Sequence, residues 1–345
     1  MSTDEGAPRD IEGGSSGSLL VDEPSTTETL EYPRGRDRSH RTLRGSLRHL
    51  QDRLVAYGLL FPAIAVFVIF FYVPAGYLLY ISFFHWSVLS SGTKFVGLEN
   101  FRRLFAQPLF LHSLETTGYY TLVMIPATVL IALAIALILR EAVTARRGGV
   151  WRAAVFLPHV TPVVATSIIW VWIFNPQFGL ANFVLTSLHL PALGWLGTTQ
   201  WALPAVMIDT LWHSLGLYVI IFLAGLANVP RDLIEVAQLD GAKRQRIFRR
   251  IIWPLLSPTT FFVLILSTVN SWQAFSQIYT MTGGPHGGGG GPAFSTTTDA
   301  LLVYTTAFTY DHFSLAAAMA AILFLIILVL TLIQKWISNR VVFYR

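Results

Sequence analysis

The sequence contains no cysteine, so neither a disulfide nor a thiolate metal site can form. Charged residues are also scarce, making up 12% of the 345 residues, whereas hydrophobic residues make up 53%. This imbalance is typical of a polytopic membrane protein rather than of two soluble domains. No long apolar run precedes Leu54, so a cleaved secretory signal is not predicted.

Motifs that carry catalysis are missing as well. The sequence has no Gly-x-x-x-x-Gly-Lys-[Ser/Thr] phosphate-binding loop and no His-Glu-x-x-His metal site. We therefore predict no catalytic residue and no metal ligand in this chain. The formal net charge of +5 does not predict nucleic-acid binding either, because the positive residues are divided among short segments.

The N-terminal region, residues 1–53, is polar and basic. Gly13 to Ser18 is a run of Gly and Ser, and few large apolar side chains accompany it. Such a segment cannot bury enough apolar surface to offset the entropy of ordering, so we predict disorder. The basic run from Arg34 to Arg53 leads into the first apolar segment. We expect it to bind anionic membrane lipid and to help fix the topology.

Six apolar segments are long enough to cross about 30 Å of hydrocarbon. They lie near 57–82, 116–139, 153–174, 203–227, 258–280 and 314–335. The sequence thus predicts an all-α protein with six transmembrane helices. Residues 54–112 hold the first span and a short outer surface helix, 113–337 hold the other five spans, and 338–345 form a tail. The apolar side of the outer helix is predicted to comprise Phe101, Leu104 and Phe105.

The positive charges predict the orientation of these spans. Only Lys94, Arg102 and Arg103, of 24 Lys and Arg residues, lie in the segments that follow the first, third and fifth spans. Cytoplasmic segments carry the excess of Lys and Arg. Both termini and the segment before the fifth span are therefore predicted to be cytoplasmic.

That cytoplasmic segment, Glu235–Pro254, is a compact polar block between two apolar runs. Leu233, Val236 and Ala237 are spaced for one face of a short helix that begins near Pro230. Gly241 stands where a left-handed turn would end that helix. A second short helix, with Ile247, Phe248, Ile251 and Ile252 on one face, is predicted to end at Pro254. Such an amphipathic pair is expected to pack into a partner's groove or against the membrane.

The same block carries a family signature. Glu235, Ala237, Gly241, Ile251 and Pro254 resemble the EAA loop, Glu-x-Ala-x-x-x-Gly with Ile-x-x-Pro, of ABC-importer permeases. The usual Glu-Ala-Ala is Glu-Val-Ala here. Further phrases similar to the carbohydrate branch, the maltose and glycerol-phosphate type, are Asp240-Gly241-Ala242, the pair Pro254/Pro258, Gly97-Leu98-Glu99-Asn100-Phe101, Phe174-Asn175-Pro176 and Thr282-Gly283-Gly284-Pro285.

This resemblance implies a type I ABC-importer (MetI-like) permease fold and import of a small carbohydrate or polyol by alternating access. It implies four kinds of partner: a second permease, two ATPase subunits, an extracellular solute-binding protein and the substrate. It also implies that this chain binds no cofactor, since ATP and Mg²⁺ are used by the ATPase. The residues implied to couple to that ATPase are Glu235, Ala237, Asp240 and Gly241.

Polar side chains in the fifth span suggest where a substrate passes. Asn270, Gln273 and Gln277 are spaced three and four apart, which predicts one shared helical face. Amides bond to hydroxyl groups, so the face suits a neutral polyol; hydrogen bonds between helices are the alternative explanation. The family resemblance implies substrate contacts from His213, Ser214 and Leu217 in the fourth span, together with Asn270 and Gln273.

Two other polar residues within the spans are given structural roles. Asp209 is expected to bond to a neighbouring helix or to lie near the outer interface. His159 lies between Pro158 and Pro162, which interrupt the third span, and it is expected to bond a carbonyl that these prolines free.

Two other functions remain open from the sequence. An ion-coupled secondary transporter would need no ATPase-docking helix and would be expected to hold more intramembrane carboxylates than Asp209. A membrane sensor or scaffold without transport would not require the polar face of the fifth span. An ATPase subunit that co-purifies with the chain would support the importer alone.

Overall fold

The computed structural model describes residues 55–86, 92–142, 148–283 and 290–341. The predicted disorder and lipid binding of residues 1–53 lie outside this described part. The chain divides into two units, Met1–Ala65 and Val66–Arg345. The first unit is described only from Val55 onward, where it is helical.

The described chain is almost entirely helical, as predicted, with one small hairpin. The elements are α1 Val55–Ser82, β1 Phe84–His85, β2 Lys94–Phe95, α2 Glu99–Phe105, α3 Pro108–Ala142, α4 Gly148–Val160, α5 Val163–Ile173, α6 Leu180–Ser187, α7 Ala202–Ala227, α8 Arg231–Leu239, α9 Arg244–Trp272, α10 Ser276–Ile278, α11 Asp299–Phe308 and α12 Phe313–Val341.

Five described helices, α1, α3, α7, α9 and α12, are long and apolar enough to cross a membrane. The third predicted span, 153–174, is not one straight helix: α4 and α5 meet at a bend of 94°. The bend follows from Pro158 and Pro162, which lack the N–H groups that would continue the helical hydrogen bonds. The described part therefore has five such helices, or six spans if this bent pair counts as one.

The fifth and sixth spans also have different bounds from those predicted. Helix α9 begins at Arg244, and a π-helical turn at Phe248–Ile252 leads directly into the span. The prediction that Pro254 ends a short separate helix is thus wrong, because the π-helical turn just before Pro254 changes the hydrogen-bond spacing where the proline lacks an N–H, and the helix continues. Helix α12 continues to Val341, past the predicted start of the tail at 338. The division of the chain at 53, 112 and 337 stays a prediction.

The predicted outer helix within 93–112 is shorter than expected. Within this range α2 ends at Phe105 and α3 already begins at Pro108, and the hairpin in which Phe84 pairs with Phe95 precedes α2. The Asn100 side-chain amide donates to the carbonyls of Ser82 (2.8 Å) and Phe84 (3.0 Å), which joins α2 to the chain that follows α1.

The central core lies where α3, α7 and α9 pack together. Ala132 and Ala136 of α3 are fully buried, as are Phe222 of α7 and Leu256 of α9. Small side chains on α3 let the helices approach closely, which is how helices pack where lipid supplies little hydrophobic driving force. This core holds the polar residues of α7 and α9 in a fixed relation to one another.

Candidate functional site

A polar cavity of about 250 Å³ lies between α3, the α4–α5 pair, α7, α9 and α10. We call it the Asn270 cavity. Its lining residues are Tyr120, Met124, Thr128, His159, Val163, Thr210, His213, Ser214, Tyr218, Ser267, Asn270, Ser271, Gln273, Ala274, Phe275, Ser276 and Gln277.

The cavity brings together most of the residues implied in substrate binding. His213, Ser214, Asn270, Gln273 and Gln277 all line it. Leu217 is half-buried and is not among the described residues that line it. Sequence reasoning missed the lining from α3, namely Tyr120, Met124 and Thr128, because nothing in the local pattern of α3 shows which helix it faces.

The expectation that Asn270, Gln273 and Gln277 share one helical face is wrong. Helix α9 ends at Trp272, and Gln273 is its C-cap with ψ of 15°. The chain then turns at Phe275 (φ −136°) before α10 begins, so Gln277 belongs to a different helix. The three amides reach the same cavity because the chain folds back there, and not through helical spacing.

The cavity is polar but carries no permanent charge among its described lining residues, none of which is Lys, Arg, Asp or Glu. The Asn270 amide donates to the Tyr218 hydroxyl (3.0 Å). His159 Nδ1 and Ser267 Oγ are buried and have no hydrogen-bond partner in the described part of the chain. Buried polar groups of this kind normally bond to protein, water or ligand. The lining can therefore bond to hydroxyl groups and, through Phe275, contact an apolar face.

His213 makes a contact that the sequence did not indicate. Its Nε2 lies 3.1 Å from the carbonyl oxygen of Thr161, at the bend between α4 and α5, so Nε2–H is placed to donate. The Thr161 hydroxyl in turn donates to the Pro158 carbonyl (2.6 Å). The prediction that His159 bonds a freed carbonyl is thus wrong: Pro162 frees the Pro158 carbonyl, which accepts from the Thr161 hydroxyl, and His213 from α7 bonds the Thr161 carbonyl.

Asp209 and Gly216 also lie where α7 meets the bent pair. Asp209 is fully buried and accepts a hydrogen bond from the Ser167 hydroxyl of α5 (2.8 Å), as the structural role predicted. A Cβ on Gly216 would lie 2.7 Å from the Val155 carbonyl oxygen, so glycine is what allows α7 to approach α4. One region of α7, Asp209 to Gly216, therefore fixes the α4–α5 bend.

The predicted left-handed turn after α8 is present. Gly241 has φ of +75°, and Asp240 is the C-cap. The Gly241 N–H donates to the Gln238 carbonyl (3.0 Å) and the Ala242 N–H donates to the Ala237 carbonyl (2.9 Å). These two bonds form a Schellman motif, which ends a helix with a glycine in this conformation. Ala237, Asp240 and Gly241 thus set the angle at which the chain leaves α8.

Glu235 lies on α8 beside a cavity of about 630 Å³, the Glu235 cavity, which α8 forms with the start of α9 and the end of α3. Its side chain is exposed, and the structure shows no salt bridge between Glu235 and Arg231. The apolar side chains of α8 are exposed too: Val236 at 56% and Leu239 at 88%. Helix α8 therefore presents a mixed acidic and apolar surface.

A family model and individual relatives both relate this chain to membrane transport proteins. Residues 142–343 match the family described as "Binding-protein-dependent transport system inner membrane component". The sulfoquinovosyl glycerol transport system permease protein SmoG of Agrobacterium fabrum is 32% identical over 80% of this chain and 87% of that protein. The trehalose/maltose transport system permease protein MalF of Thermococcus litoralis is 30% identical over 84% of this chain and 95% of that protein.

A solved structure extends the likeness to the fold. A chain of a bacterial ABC transporter involved in the import of the acidic polysaccharide alginate superposes with a TM-score of 0.72 at 22% identity, over 86% of this chain and 99% of that one. The chain therefore has an ABC-importer permease fold. The chain belongs to the family of binding-protein-dependent transport system inner membrane components.

Proposed function

We propose that this chain is a permease subunit of an ATP-driven importer for a carbohydrate or polyol. It works with a second permease, two ATPase subunits and an extracellular solute-binding protein. The chain itself binds no cofactor, since ATP and Mg²⁺ belong to the ATPase subunits. Its segments rich in Lys and Arg, including both termini and α8, lie in the cytoplasm.

The observation that carries this proposal is the surface of α8. This nine-residue helix leaves Val236 and Leu239 exposed beside Glu235, and no described part of the chain covers these two apolar side chains or forms a salt bridge with that acid. Exposed apolar surface rimmed by polar groups is typical of a protein interface. An ATPase groove on the cytoplasmic side would cover Leu239 and meet Glu235, and closure of the ATPase pair would move α8 and with it α9.

The Asn270 cavity supports the substrate class. Amide, hydroxyl and aromatic groups without a permanent charge suit a solute whose hydroxyl groups need hydrogen-bond partners. Two relatives are named for transport of sulfoquinovosyl glycerol and of trehalose and maltose. We assign substrate contacts in this subunit to Ser214, Asn270, Gln273 and Gln277. His213 contributes mainly by holding the bend, and Leu217 has no contact assigned.

Co-purification and uptake measured together test the coupling role. Glu235→Ala should retain less ATPase subunit and import less solute, both normalised to the amount of the chain in the membrane. The matched control is Asp232→Ala, which removes an exposed acid from the same helix and does not line the Glu235 cavity.

The outcomes separate the three candidate functions. Loss with Glu235→Ala and not with Asp232→Ala supports the importer. Uptake without any co-purifying ATPase would support an ion-coupled secondary transporter instead. A chain that binds partners without any solute uptake would support a sensor or scaffold.

A further inference from the structure

Six aromatic side chains form a series of ring contacts that joins the Asn270 cavity to a second cavity. Neighbouring ring centroids are 4.9 Å apart for Phe275–Tyr304, 5.1 Å for Tyr304–Phe308, 5.9 Å for Phe308–Phe313 and 5.5 Å for Phe313–Trp86. Tyr279 contacts both Phe275 (5.3 Å) and Tyr304 (5.4 Å). We call this series the aromatic track.

The second cavity, the Trp86 cavity, has a volume of about 420 Å³ and a polar lining. Arg103, Asp311 and His312 contribute charged or ionisable groups, and Asn100 and Gln107 contribute amides. In the proposed orientation this cavity lies on the outer side of the membrane, since α2 belongs to an outer segment. The track therefore begins at a polar outer cavity and ends at the polar Asn270 cavity.

The rings are fixed in place by backbone contacts at the outer end. The Trp86 N–H donates to the Ser314 hydroxyl (2.7 Å), and that hydroxyl donates to the Trp86 carbonyl (3.0 Å). Asp311, with φ of +57°, makes the turn between α11 and α12, so Phe308 and Phe313 flank a tight connection. Trp86, Phe308 and Phe313 at the outer end are thus held by the fold before anything binds to them, which lowers the entropic cost of binding there.

The track also remains accessible. Phe308 is 66% exposed, and the other five rings are half-buried. Aromatic rings combine a flat apolar face with little conformational freedom, and they stack on the C–H faces of sugar rings. A row of such faces binds a chain of sugar residues without reading the pattern of its hydroxyl groups.

We propose that the aromatic track is a binding path for an oligosaccharide, which stacks on successive rings as it moves from the Trp86 cavity to the Asn270 cavity. This rests on the proposed function as an importer of carbohydrate, and it adds that the natural substrate is a chain of several sugar residues. A monosaccharide or a small polyol would touch only one or two rings at a time and would gain little from a row of them.

The experiment also distinguishes two other contacts of these rings, lipid chains and a second permease. Lipid chains pack against any apolar surface. The aromatic track, however, has charged residues, Arg103 and Asp311, in the cavity at its outer end and the polar Gln273 in the cavity at its inner end, and polar groups are not expected beside lipid chains. A second permease packed on Phe308 would make that ring a structural contact. Replacement of the ring by Leu separates these cases, because Leu keeps the apolar character and removes the flat face.

The experiment uses the complete importer with its solute-binding protein in proteoliposomes. A thermal-shift screen of the binding protein first tests glucose, glycerol, sn-glycerol 3-phosphate and the disaccharide to hexasaccharide members of the malto-, cello- and xylo-series. Uptake of the shortest and longest accepted sugars is then measured for Phe308→Leu and Phe308→Tyr. The matched control is Phe183→Leu, an aromatic side chain of α6 that is 67% exposed and outside the track.

We expect Phe308→Leu to lower uptake of the longest sugar about 3-fold or more, with little change for the shortest. Phe308→Tyr and Phe183→Leu should both behave as the unchanged protein. Equal loss at both lengths, loss of the second permease on purification, or no loss at all would overturn the path. A binding protein that accepts only the small solutes would also overturn the path, but the proposed function as an importer would stand. A binding protein that accepts no carbohydrate or polyol would overturn the proposed function itself.

Discussion

Gly216→Ala tests whether close approach of α7 to α4 holds the bent third span. The new Cβ would lie 2.7 Å from the Val155 carbonyl oxygen and 2.9 Å from Phe156 Cα, both of them backbone atoms that cannot rotate away. The two helices must therefore separate, which costs about 1–3 kcal/mol in a packed interior. Alanine recovers about 0.5–1 kcal/mol because it restricts the unfolded chain more than glycine does.

Gly118→Ala is the matched control for this change. Gly118 is also inside a helix, α3, but a Cβ there meets no atom within 4 Å. Gly118→Ala should therefore gain the same stabilisation of about 0.5–1 kcal/mol without the steric cost. The free energies of unfolding of the two variants should then differ by about 1–3 kcal/mol. At about 2–4 °C for each kcal/mol, that difference is measurable as thermal unfolding of the purified complex by tryptophan fluorescence.

The same change should disturb the contacts that fix the bend. Separation of α7 from α4 lengthens the distance from His213 Nε2 to the Thr161 carbonyl oxygen, now 3.1 Å. Adding His213→Ala to Gly216→Ala should then cost less than His213→Ala alone, because neighbouring changes are not additive. Equal melting temperatures for the two glycine variants, or full additivity with His213→Ala, would refute the reasoning.

Three further changes test other parts of the structure. Asn182→Ala should lower stability by about 2–4 kcal/mol by thermal unfolding, because the buried amide bonds to three backbone groups and to Trp195 Nε1 (2.8 Å); a loss below about 1 kcal/mol would contradict this. Gly241→Ala should add about 1–2 kcal/mol of backbone strain, because φ is +75° and a Cβ there meets no other atom. This strain should disturb the turn after α8 and lower ATPase co-purification and uptake; unchanged values would argue against a coupling role. Asn270→Leu should lower uptake and leave expression normal, because it removes cavity hydrogen bonds and leaves the Tyr218 hydroxyl without its donor; normal uptake would make the contact structural.

The membrane layout was largely predictable from the sequence. Long apolar segments can satisfy their backbone groups in lipid only as helices, so composition and length predicted the spans. The turn at Gly241 was also predictable, because an αL position after a helix favours glycine. The residues of the EAA-like block predicted the family, which the comparisons with known proteins confirm.

The polar cavity was only partly predictable. Helical spacing predicts one polar face with Asn270, Gln273 and Gln277. The three residues do line one cavity, but they do not share a helical face, because α9 ends at Trp272. Helical spacing assumes that the helix continues, and nothing in the local sequence fixes where tertiary packing ends it. The lining from α3, including Tyr120, depends on which helix packs opposite, and that is decided by the whole bundle.

The sequence by itself determined the membrane class, the helical elements, the family signature and the left-handed turn at Gly241, because each follows from local composition, spacing or backbone preference. Only the tertiary structure decided the role of His213 at the Thr161 carbonyl, the close approach at Gly216 and the order of the aromatic track. These features join residues far apart in the chain. Their physical basis is the distance between helices, which no local pattern of residues encodes.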